Sequence, residues 1–223
     1  MKILIAISSC GDYESNGNNQ ALRETWLRDL VGLDGVDYGF FFGEGQDAPQ
    51  LADSVLLPGI PDDYAHLTYK TRESLRWAHA EGYDFVFRCF PDTFVKVDRF
   101  FACPFWDYDY YGDFRSESTE QTGNYASGGA GYWLSRKAFE LLLYTPVTGI
   151  WRDEITTSAE DLWVGNRLGA AQVKLRYFDD KRFVNKGSIY WPNFDNDAVT
   201  AHMSCPLPYD KSMMYAAWKR WNP

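Results

Sequence analysis

Cysteine is scarce in this chain of 223 residues: Cys10, Cys89, Cys103 and Cys205 are scattered, and none has CxxC spacing. That pattern argues against a cysteine-rich metal site or a disulfide framework and for reduced thiols. Long apolar runs are missing as well. The opening MKILIAISSC breaks off at Ser8, too short for a signal-peptide core or a membrane span, and suits a buried first strand. The expectation is a soluble, cytoplasmic protein of microbial or viral type without a transmembrane segment, or one domain of a longer protein. Positive charge is also in short supply, with 22 Lys and Arg against 31 Asp and Glu and a net charge of −9. A phosphate-backbone binder needs the opposite balance, so nucleic acid is not an expected partner. Internal repeats, low-complexity tracts and linkers are absent too, which predicts a single domain over residues 1–223.

Aromatic residues are plentiful, with nine Trp, fifteen Tyr and fifteen Phe. Most belong in a core, though Trp133, Trp163, Tyr110 and Trp191 are also candidates for a platform under a sugar ring. Short apolar runs in MKILIAISSC, VDYGFFFGEG, SVLLPGI and YDFVFRCF alternate with helical patterns, predicting an α/β fold with a mainly parallel central sheet flanked by helices. The expected helices are ALRETWLRDLVG, with Leu22, Trp26 and Leu30 on one face, LTYKTRESLRWAHAEG, stopped at Gly82, SRKAFELLLYT, capped by Ser135, and SAEDLWVGNRLG, capped by Ser158. The tail YAAWKRW reads as a packed terminal helix.

In open α/β sheets, ligands meet the carboxyl ends of the strands. Asp92 follows the fourth strand in FRCFPDTFV, a lone carboxylate in an apolar and aromatic run. Taken singly it is a turn former as readily as a ligand. The glycines of Ser127–Gly131 permit close backbone approach or merely a tight turn. Glu160 and Asp161 fit a helix amino end, and His202 fits a core histidine. An acidic protein that handles a phosphorylated ligand needs placed Arg or Lys, or a divalent cation held by carboxylates.

Read in order, these pieces form a pattern. LRETW (Leu22–Trp26), DDYAHLTYKT (Asp62–Thr71), FVFRCFPDTFV (Phe85–Val95), YASGGAGYWLS (Tyr125–Ser135) and EDLWVG (Glu160–Gly165) resemble, in sequence order, five motifs of the inverting β1,3-glycosyltransferase superfamily, which includes β1,3-galactosyltransferases, core 1 galactosyltransferases and Fringe proteins. The resemblance implies a GT-A nucleotide-sugar-binding fold, a UDP-sugar donor, a glycan or glycoconjugate acceptor and Mn²⁺ or Mg²⁺. It implies Asp161 as catalytic base, Asp92 and His202 as metal ligands, and a donor site touching Ser8, Arg23, Lys70, Phe90, Gly128 and Gly129. Ser9 adjoins the same strand end. Phe90 and Pro91 stand where the family carries further acids, and Arg88 and His66 replace its usual Lys and Asn. A galactose-type hexose is the favoured cargo. A non-catalytic binding module derived from such a transferase is the alternative, and hydrolysis by the Asp92 and Asp161 carboxylates is a third reading.

Overall fold

The computed structural model describes residues 1–45, 49–115, 124–145, 159–171, 173–185, 197–203 and 210–222. Its strands are β1 (Ile3–Ser8), β2 (Val36–Glu44), β3 (Ser54–Pro61), β4 (Phe85–Cys89), β5 (Thr93–Val95), β6 (Tyr110–Gly112), β7 (Phe114–Arg115), β8 (Tyr125–Ala126), β9 (Tyr132–Ser135), β10 (Tyr177–Asp179), β11 (Phe183–Val184) and β12 (Thr200–His202). Its α-helices are α1 (Gly11–Ser15), α2 (Asn18–Glu24), α3 (Leu67–Ala80), α4 (Val97–Phe100), α5 (Arg136–Tyr144), α6 (Glu160–Ala170) and α7 (Lys211–Trp221).

A seven-stranded sheet runs β10-β6-β9-β4-β1-β2-β3. The pairs β1–β2, β1–β4, β2–β3 and β6–β10 are parallel, whereas β9 lies antiparallel to both β4 and β6. The sheet is therefore mixed, with one reversed strand in an otherwise parallel array. Every residue of β1 is buried, as a strand covered on both faces requires. Its period of two divides the core: Ile3, Ile5 and Ile7 face Leu22, Trp26, Leu30 and Met214, whereas Leu4 and Ala6 face Leu75, Ala78 and Leu142.

The predicted helix through Leu22, Trp26 and Leu30 divides in two. The Thr25 hydroxyl donates to the Ala21 carbonyl at 2.6 Å, and beyond Thr25 the chain continues as a 3₁₀ turn, Trp26–Leu30. All three apolar residues remain buried, so their spacing marked the face and not the break. The α3 helix ends before Gly82, whose φ of +79° closes it, and Ser135 caps α5 by accepting from the Ala138 amide. The N-cap of α6 is Ala159; the expected cap Ser158 lies outside the described residues, as do Trp191 and Cys205. The remaining cysteines are free thiols. Met214 and Ala217 of α7 enter the core, Trp221 stacks on Phe94, and Tyr215 donates to Glu24. The terminal helix is thus packed, and no helix among the described residues is long and apolar enough to cross a membrane.

A second, three-stranded sheet, β11-β12-β5, positions the candidate site. Strand β12 pairs antiparallel with β5, setting His202 opposite Thr93, and the Met203 amide donates to the Asp92 carbonyl at 2.8 Å. A histidine 110 residues away in sequence is thereby laid beside the lone carboxylate that follows β4.

Candidate functional site

The carboxyl ends of β1 and β4 point to the same side of the sheet, and a cavity of about 890 Å³ opens there. Ser8, Ser9, Lys70, Phe90, Asp92, Gly128, Gly129, Asp161 and His202 all line it. Arg23 does not. Its guanidinium is held by Glu14 at 2.7 Å and by Asp53 at 2.7 Å, against the ring of Phe40, so it braces the wall behind the cavity. The platform candidates Trp133, Tyr110 and Trp163 are likewise core residues; Trp133 stacks on Phe105 with ring centroids 3.9 Å apart.

Lys70 is buried and donates to the Ser9 carbonyl and, at 2.6 Å, to Asp62. Asp62 also accepts from the amides of Gly11 and Gly43, each at 2.9 Å, and so fastens the ends of three chain segments. The Ser9 hydroxyl donates to Asn19 at 2.8 Å.

On the opposite wall, Asp92 Oδ2 lies 3.2 Å from His202 Nε2, and only 5% of the Asp92 surface is exposed. Thr93 ties this pair to the glycine turn, accepting from the Phe90 amide at 3.1 Å and donating to the Gly129 carbonyl at 2.9 Å. The glycines are obligatory here. A Cβ on Gly129 would stand 2.6 Å from His202 Cγ, and one on Gly128 would collide with Glu160 and stand 3.5 Å from Asp161 Oδ2. Two consecutive residues therefore bring the Asp161 carboxylate and the Asp92–His202 pair to one place, and the Gly128 amide donates to Asp161 Oδ2 at 3.1 Å.

Asp92 and His202 offer one carboxylate oxygen and one imidazole nitrogen, a mixed set that suits a divalent ion accepting both donors better than one that takes oxygen alone. The far nitrogen of His202 lies 3.0 Å from the Asn185 amide. The orientation that satisfies the neighbours of Asn185 gives the amide oxygen to Arg115 and the amide nitrogen to Nδ1, so Nε2–H donates to Asp92. A cation at this pair would take the place of that Nε2 proton. Among the described residues no third His, Cys, Asp or Glu joins the pair.

Several lining residues were not singled out in the sequence as part of this site. Burial, reinforced by the nearby Asp92 charge, pushes the Tyr13 hydroxyl up to about 12, so it is a donor at neutral pH. Burial also pushes Glu160 up to about 7, with the Asp161 charge adding to the shift, while Arg88 and the Tyr132 hydroxyl oppose it. Glu160 resembled a helix-dipole partner because its true partner, Arg88, lies 72 residues earlier. Asn185 carries no local motif at all.

No protein-family model and no curated protein matches this chain. Among solved structures it is similar to a glycosyltransferase involved in the glycosylation of the major capsid of PBCV-1, with a TM-score of 0.58 and 10% identity over 99% of this chain and 100% of that one. It also aligns with A197 from STIV at a TM-score of 0.40 and 14% identity, covering 79% and 80% of the two chains, too weakly to carry an argument. The first likeness shows a shared α/β fold, built on the seven-stranded mixed sheet and its helices.

Proposed function

We propose that this chain is an inverting glycosyltransferase of the β1,3 type, moving a hexose, galactose-type by preference, from a UDP-sugar to a hydroxyl of a glycan acceptor. One observation carries the reading: Gly128 and Gly129 seat Asp161 and the Asp92–His202 pair side by side in one cavity at the ends of β1 and β4. The likeness in fold to a viral glycosyltransferase supports the same reaction class.

In such a transfer, the acceptor oxygen attacks the anomeric carbon opposite the leaving diphosphate and must lose its proton as the bond forms. Asp161 is the general base, its carboxylate aimed by the Gly128 amide. Asp92 and His202 would hold Mn²⁺ or Mg²⁺, which would supply positive charge against the diphosphate. Ser8, at the end of β1, lines the floor under the nucleotide, and Lys70 fixes the Ser9 backbone beside it. Phe90 presents an aromatic wall that limits water, whose attack would otherwise hydrolyse the donor.

Turnover of a panel of UDP-sugars with hydroxyl acceptors tests this, with anomeric configuration followed by NMR. Inversion at the anomeric carbon that is abolished in Asp161→Asn is the expected result; transfer that survives this substitution contradicts it. Phe90 and Pro91, standing where the family has acids, favour a second reading, a binding module that holds nucleotide without turnover. Tight UDP binding with no transfer to any acceptor distinguishes it. Release of free sugar independent of acceptor marks hydrolysis.

A further inference from the structure

The first turn of α6 carries a second carboxylate that the proposed reaction leaves unused. Glu160 lies 2.7 Å from Arg88, and the two side chains are 2% and 0% exposed. Tyr132 donates to Glu160 Oε2, and the ring of Phe90 covers the guanidinium with its centroid 3.6 Å away. A buried ion pair is a poor device for stability, because desolvation offsets the attraction and an apolar pair of equal volume serves as well. Its geometric effect is more specific.

The contacts converge on Gly128. Arg88 Nη1 donates to the Gly128 carbonyl at 3.5 Å, and Glu160 packs so closely that no Cβ fits. The amide of the same glycine holds Asp161 Oδ2 at 3.1 Å. We propose that Glu160 and Arg88 are positioning residues: their ion pair fixes the Gly128 peptide, and that peptide fixes the Asp161 carboxylate toward the acceptor. This rests on the reading of Asp161 as base. The pair links three chain segments far apart in sequence, β4, the glycine turn and α6.

Gly128 reports on the arrangement directly. Ser127–Gly128 is the only Ser–Gly step in the sequence, so carbonyl-labelled serine with nitrogen-labelled glycine gives its amide a unique NMR signal. In Asp161→Asn the signal moves upfield as the charged acceptor is lost. The expected result is that Glu160→Gln and Arg88→Met move it the same way with Asp161 still present. Turnover of the best UDP-sugar should fall by about 10- to 100-fold, as expected for a misplaced reacting group, while UDP affinity by calorimetry is retained. Arg88→Lys keeps the ion pair and should return the signal and most of the turnover. If single variants fail to fold, the charge-free pair Arg88→Met with Glu160→Leu should fold and show the same displacement. A signal that stays at its wild-type position in Glu160→Gln while turnover collapses would show Glu160 acting on substrate directly, and overturns the proposal. Signal and turnover both unchanged would overturn it as well. Transfer that survives Asp161→Asn would instead sink the base assignment, whatever Gly128 shows.

Discussion

The two walls of the cavity treat charge in opposite ways. On the wall built by β1, α1, α2 and α3, the basic groups are spent on the protein itself, Lys70 on Asp62 and the Ser9 carbonyl, Arg23 on Glu14 and Asp53. On the wall built by β5, β12, the glycine turn and α6, the carboxylates of Asp92 and Asp161 and the imidazole of His202 face the cavity. Among the described residues six carboxylates, those of Asp12, Asp62, Asp63, Asp92, Glu160 and Asp161, line the cavity beside a single lysine. The first wall thus supplies shape, and the second supplies chemistry. An anionic donor entering here meets a cation only if the second wall brings one, which is the physical argument for a metal in a protein of net charge −9.

The largest effect is expected at Asp161. Asp161→Asn should lower transfer by about 10²- to 10⁴-fold, the usual share of a general base, with UDP affinity unchanged in calorimetry. Gly129→Ala comes next, because its Cβ drives the His202 ring away from Asp92. Its cation-dependent UDP affinity should drop by more than about tenfold, or ~1.4 kcal/mol. On the other wall, Lys70→Met breaks a buried ion pair and should cost about 3–5 kcal/mol of stability in denaturant unfolding. Arg23→Ala should cost about 1–2 kcal/mol and leave UDP affinity within roughly a factor of two. A large loss of UDP affinity in Arg23→Ala would mean that the first wall contributes charge after all.

The smallest effect concerns pH. Glu160 is raised from 4.5 in the unfolded chain to about 7 in the fold, so the folded state holds the extra proton. Its contribution to stability is therefore full below about 4.5 and is lost as pH rises through about 7. The melting temperature of wild type relative to Glu160→Gln should fall across that window, and a difference that rises with pH would contradict the burial argument.

The parts of the site that were legible in the sequence are those in which one short motif carries both the strand and the ligand. FRCFPDTFV gave β4 and Asp92 together, whereas the glycines of SGGAG left close approach and a plain tight turn equally open until their neighbours were seen. Asp161 and His202 came from motif order, and β12 then explains why a residue so distant lies beside Asp92. Arg23 was misplaced because the partners that claim it, Glu14 and Asp53, sit 9 and 30 residues away with no local sign of pairing. Thr25 hid a helix break because apolar spacing reports a face, and a hydroxyl bonding back along the chain does not disturb that spacing. Trp133 was open to both readings because residue type carries no burial; it stacks deep in the core on Phe105 and Phe100, the more expected of the two. The reversed β9 was equally invisible: its residues are as apolar as those of a parallel strand, and direction is set by pairing alone.

The most direct test of the account is calorimetric titration of UDP into the protein with Mn²⁺ and then with EDTA, on wild type and on Asp92→Ala. UDP binding that needs Mn²⁺ in the wild type and is lost in Asp92→Ala is the expected result. UDP binding that is equal in Mn²⁺ and EDTA, and unchanged by the substitution, would contradict it and leave Asp92 as a turn residue beside a metal-free pocket.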